Sequence, residues 1–115
     1  MTDFFKNEMI RGDLQEMAEL QQYCMRSMMA FPALSPAKQV EYFEVLLTLI
    51  EKQKIFYTRL TLSDNEDAKE MLQSMRDSAI MLGATPGENL NEMFDDLIEK
   101  VNKMKEQAEK LAQGD

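Results

Sequence analysis

Apolar residues recur along this chain at steps of three and four, in four stretches separated by prolines, glycines and small polar residues. The dominant stretch covers 35–62. Ser35 is placed to cap a helix, and Pro36 to occupy its first position. At about 100° per residue, Tyr42, Phe43, Leu46, Leu47, Leu49, Ile50, Phe56, Tyr57 and Leu60 share one broad face. Glu41, Glu44, Thr48, Glu51, Lys52 and Arg59 lie opposite. The face holds two parallel seams, Val40-Phe43-Leu47-Ile50 and Tyr42-Leu46-Leu49-Phe56-Leu60. A single neighbouring helix covers about one seam, so this helix is expected to touch at least two others and to centre the core.

Upstream, Ile10, Leu14, Met17, Leu20, Cys24, Met28 and Phe31 fall within about 120° of a helical wheel. They predict a helix over 4–30, with Gln21 a polar intruder on its seam and Gly12 on the far face. Phe31-Pro32-Ala33-Leu34-Ser35-Pro36 then breaks the chain, because the residue before a proline is forced out of helical geometry. The second helix should fold back on the first as an antiparallel hairpin of about 40 Å, at roughly 1.5 Å per residue.

Ser63 and Glu66 have the spacing of a capping box, and Asp64 and Asp67 add acids at the positive end of a third helix, 64–82. Its stripe is Ala68, Met71, Leu72, Met75, Ala79 and Leu82, and it should stop at Gly83. Thr85-Pro86-Gly87-Glu88 suits a capped single turn, and Asn89 with Glu92 forms a second capping pair. The fourth helix, 90–112, carries the most regular repeat: Leu90, Phe94, Leu97, Val101, Met104, Ala108, Leu111. A parallel self-paired coiled coil would set Lys100 and Lys105 against their counterparts, so packing on an acidic helix of the same chain or of a partner is favoured. The tail from about 112 is expected to fray. Residues 1–115 thus read as one all-α, bundle-like domain of four helices.

The bulk numbers narrow the class. At 115 residues, 44% hydrophobic and 30% charged, the chain fits a folded soluble domain and not a disordered one. The formal net charge is −8, with 13 basic residues dispersed among 21 acidic ones, so no face is built for a nucleic-acid backbone. The longest apolar run falls short of the ~18 residues of a membrane span, and Asp3, Lys6 and Glu8 interrupt any signal-peptide pattern. A soluble cytoplasmic protein is the expectation, with no nucleic-acid or membrane partner.

Cys24 is the one cysteine, so an internal disulfide is impossible. On an apolar stripe it reads as a small buried hydrophobe, not a reactive thiol. The absence of histidine excludes zinc triads, Ser-His-Asp and Cys-His catalysis, and the Glu-x-x-His di-iron site. Four glycines, at 12, 83, 87 and 114, exclude a Gly-rich phosphate loop.

Paired carboxylates are the remaining catalytic material. Glu41-x-x-Glu44 and Asp64-x-x-Asp67 loosely resemble the acidic helix pairs of all-helical, magnesium-dependent nucleotide pyrophosphohydrolases, where four carboxylates hold Mg²⁺ against a triphosphate. Here Glu41 and Glu44 lie on a polar face, and Asp64 and Asp67 serve as helix-start acids. Solvated surface is the better reading for both pairs, and for Glu16-x-x-Glu19. Asp64-Asn65-Glu66-Asp67 lacks the spacing and central glycine of a calcium loop. No catalytic, cofactor-binding or metal-ligating residue is assigned, and no cofactor is expected.

Methionine is the compositional outlier, at 11 residues. Met17, Met28, Met71, Met75 and Met104 fall on apolar stripes and are expected to fill the core. Met25 and Met29 flank a stripe, while Ile55, Ile80, Met81 and Ile98 fall on otherwise polar arcs. These six form the candidate interface, because off-stripe apolar residues gain cover from a partner or a second copy.

Phe4-Phe5 before an acidic start, Phe31-Pro32-x-Leu34-Ser35, Tyr57-Thr58-Arg59-Leu60-x-Leu62-Ser63-Asp64, and Met81-Leu82-Gly83 together resemble a domain-of-unknown-function family. It comprises short helical proteins of cyanobacteria and their T4-like phages. The resemblance implies a small protein of a bacterial or phage-infected cell and transfers no site residue, since the family has no assigned activity. The functional expectation is a non-enzymatic, homo-oligomeric helical module that also binds another protein. The alternative is a magnesium-dependent nucleotide pyrophosphohydrolase-like enzyme.

Overall fold

In a computed structural model that describes residues 8–81, 87 and 89–114, the breaks in hydrophobic periodicity become the breaks between helices. Helix α1 spans Glu8–Met29, α2 Pro36–Thr61, α3 Glu66–Met81 and α4 Leu90–Ala112, and a 3₁₀ turn occupies Phe31–Ala33. The described residues contain no strand. The expected start of the first helix, Leu82 and Gly83 lie outside the described residues, as does most of the turn expected at 85–88.

Local chemistry sets the ends. The Ser35 hydroxyl accepts from the Lys38 N–H at 3.3 Å, with Pro36 in the first turn of α2. At the far end the Leu62 N–H bonds back to the Thr58 and Arg59 carbonyls, so α2 stops one residue before the expected boundary. The start of α3 is a larger correction. Asn65, not Ser63, caps it: Asn65 Oδ1 accepts from the Asp67 N–H at 2.8 Å and the Ala68 N–H at 3.4 Å. Ser63 turns its hydroxyl onto the Asn65 N–H at 3.1 Å, which holds 63–65 in a turn and delays the helix by two residues. Asn89 caps α4 as expected, accepting from the Asn91 N–H at 2.9 Å.

Helix α2 is the shared neighbour. It packs most extensively on α4, then on α1, then on α3. Cross-helix ion pairs fix the directions. Asp13 and Glu16 of α1 pair with Arg59 and Lys52 of α2, and Glu44 and Lys54 of α2 pair with Lys105 and Asp95 of α4. In both sets one number rises as the other falls, so α1 and α4 each run antiparallel to α2 and parallel to one another. The hairpin of the first two helices is thus as expected, but the heavier packing of α2 falls on α4.

The core divides in two. The larger part gathers Tyr42, Phe43, Leu49, Ile50 and Tyr57 of α2 with Leu90, Phe94, Val101 and Ala108 of α4 and Cys24 of α1. The smaller joins α1, α2 and α3 through Ile10, Phe56, Leu60 and Ala68. Leu46 and Leu47, on the same predicted face, are half-buried. The fold measures 57 × 31 × 19 Å, with a radius of gyration of 16.3 Å against roughly 13 Å for a compact domain of this length. Such a flat, elongated body leaves helix edges without neighbours.

Candidate functional site

Exposed apolar side chains, Met28 and Met29 among them, gather where the hairpin turns. Pro32 ends helical geometry in α1 and swings Phe31 back onto the start of α2. There the Phe31 ring stands edge-on to Tyr42 at 5.6 Å and to Phe43 at 5.7 Å, and those two rings lie 5.2 Å apart. Offset and edge-on geometry of this kind stabilises aromatic clusters beyond simple burial. Beside the cluster opens a groove of about 400 Å³, completed by Met28, Leu46 and Met104, with every lining side chain apolar or aromatic.

Three of these residues overturn sequence expectations. Met28 lies on the wheel of the α1 stripe, yet it is 60% exposed; Met104, on the α4 stripe, is 43% exposed. Leu46, in the middle of an α2 seam, is half-buried. The physical reason is common to all three. Helices α1 and α4 both press on α2 but make scant backbone approach to each other, so the strip of α2 between their ends has no roof. Leu97 and Leu111 share this fate on α4: both are exposed although both sit on its regular repeat.

The six residues expected at an interface do not form one patch. Met25 and Met29 are exposed near the α1 end of the groove, Met29 at 85%. Ile55 is exposed in the C-terminal half of α2, and Ile80 and Met81 are exposed at the end of α3. Ile98 is half-buried against the larger core, although it falls on an otherwise polar arc of α4.

The paired carboxylates stay apart. Glu44 is within α2's third turn and Asp64 follows its C-terminus, a separation of about 25 Å at roughly 1.5 Å per residue. Glu41 is engaged by Lys38 at 3.1 Å and Glu44 by Lys105 at 4.0 Å. Among the described residues no three carboxylate or thiol side chains converge to hold a metal ion. Cys24 is buried, and that burial raises its thiol pKa, which lowers its reactivity at neutral pH. Burial also raises the Tyr42 phenol, reinforced by the neighbouring Cys24. No helix among the described residues is long and apolar enough to cross a membrane.

The groove was missed because each residue lining it looks like core on its own helix. The seven apolar positions of α4 follow the narrow seam that one neighbouring helix can cover, so their spacing did not mark Leu97, Met104 and Leu111 as exposed.

Comparison with known proteins adds one finding. The family model described as domain of unknown function (DUF1825) matches residues 2–108, nearly the whole chain. No curated protein and no solved structure matches.

Proposed function

We propose that this chain, which belongs to the DUF1825 family, is a non-enzymatic helical protein–protein interaction module that self-associates through methionine-rich and aliphatic surface. The observation that carries this reading is the open groove between α1 and α4, where exposed Met28 and Met104 and half-buried Leu46 surround an aromatic floor. Methionine side chains adapt to varied partner shapes, and contiguous apolar surface of this kind marks docking sites. The chain exposes 8010 Å². A compact monomer of 13.3 kDa would expose roughly 6,500 Å², and a standard interface covers about 800 Å² per partner.

The partners in this reading are a second copy of the chain and a further protein, with no cofactor. The resemblance to proteins of cyanobacteria and their phages directs the search to the cytoplasm of such a cell. Light scattering at micromolar concentration should give a mass at least twice the 13.3 kDa of one chain. Isothermal titration with Mg²⁺ or Mn²⁺ should detect no tight site. A single-chain mass would refute self-association, and Mg²⁺-dependent release of pyrophosphate from a nucleoside triphosphate, lost in Glu44→Gln, would replace this reading with the hydrolase.

A further inference from the structure

Helix α4 presents its apolar residues in two adjoining strips. Leu90, Phe94, Val101 and Ala108 are buried, facing α2. Beside them Leu97, Met104 and Leu111 recur every seven residues and are all exposed. A seven-residue repeat drifts by only ~20° per step, so these three form a continuous edge. Charge is segregated along the same helix. Residues 90–99 hold Glu92, Asp95, Asp96 and Glu99 with no base, whereas 100–112 hold four lysines and two glutamates.

We infer that this edge seats α4 of a second copy, running antiparallel about a two-fold axis at Met104. The inference rests on the self-association proposed above and names its geometry. With Met104 against Met104, Leu97 faces Leu111 of the second copy, 96–99 lies along 109–112, and Glu92 and Asp95 fall beyond the end of the facing helix at Ala112. Asp96, which makes no ion pair among the described residues, meets Lys110 of the second copy, and the two-fold axis repeats that pair. Lys100 falls opposite Ala108. A parallel pairing would instead set Lys100 on Lys100 and acid on acid, which coiled-coil packing disfavours. Lys103 comes near its own counterpart at the axis, but Glu99 holds it within the chain at 3.4 Å. Met104 also lines the groove, so a helix laid on this edge extends over Met28 and Leu46.

Cysteine scanning tests the geometry, because Cys24 is only 7% exposed and an introduced thiol is the accessible one. A disulfide needs Cα atoms within roughly 7 Å. In the antiparallel pair two Leu97 positions are about 21 Å apart, fourteen residues at roughly 1.5 Å each. Mild oxidation should therefore link Met104→Cys into a covalent dimer and leave Leu97→Cys as single chains. A mixture of Leu97→Cys and Leu111→Cys should cross-link. Lys110→Glu should weaken dimerisation roughly three- to tenfold at low salt, and adding Asp96→Lys to the same chain should restore it. Self-linking of Leu97→Cys would overturn the inference in favour of a parallel pair. A dimer by light scattering that Met104→Cys fails to link, with no charge-swap rescue, would overturn it while leaving self-association through another face intact. A single-chain mass for the unmodified protein would remove both.

Discussion

Truncating Leu60 to Ala tests the architecture at its tightest point. Leu60 has no exposed surface and sits among Ile10 of α1, Phe56 of α2 and Ala68 of α3, where three helices meet. Removing most of its side chain forfeits a transfer term of about 1.5–3 kcal/mol. It also leaves a cavity that three packed helices cannot readily close, bringing the total to about 3–5 kcal/mol. Leu46→Ala provides the contrast on the same helix. Its side chain is half-buried and borders an open groove, so part of the transfer term is lost and no closed cavity forms; about 1 kcal/mol is expected. Urea titrations with an unchanged slope should read these as a midpoint lowered by about 1–3 M for Leu60→Ala and by under about 1 M for Leu46→Ala. Since a domain of this size has about 5–15 kcal/mol in total, Leu60→Ala should also speed amide exchange in α3, which that cluster ties to α2. Equal or reversed midpoints would mean that the groove is closed and the three-helix junction is not the anchor.

Two further outcomes follow from single residues. Gly12 lies exposed within α1, and a Cβ added there meets nothing within 4 Å. Gly12→Ala should therefore raise stability by about 0.5–1 kcal/mol, read as a higher melting temperature in calorimetry; a fall would reveal a close neighbour on that face. Burial holds the Cys24 thiol protonated above its ordinary range, whereas in the unfolded chain it ionises near ~8.5. The contribution is thus present below about pH 8.5 and lost as pH rises through the folded value. Stability should decline over that alkaline window, and Cys24→Ala should flatten the decline; an identical slope in the variant would show that the thiol carries none of it.

Much of the fold was legible in local sequence. Ser35-Pro36 opens α2, Asn89 opens α4, and the apolar steps of α2 identify the helix that all others contact. These features depend on residues a few positions apart, whose interactions survive any choice of neighbours. The start of α3 was less legible because Ser63 and Asn65 both offer a capping oxygen. Ser63 bonds the Asn65 N–H, and Asn65 then takes the Asp67 and Ala68 N–H groups.

Periodicity and local caps determined that four amphipathic helices exist, where α2, α3 and α4 begin within two residues, and that α2 lies at their centre. Tertiary structure decided which part of each stripe is covered. Met28, Leu97, Met104 and Leu111 are apolar and correctly spaced, yet they are exposed. Burial belongs to a pair of surfaces and not to one helix. A wheel states which side chains seek cover, but only the placement of α1 and α4 on α2, held by Asp13–Arg59 and Lys54–Asp95, states which of them find it.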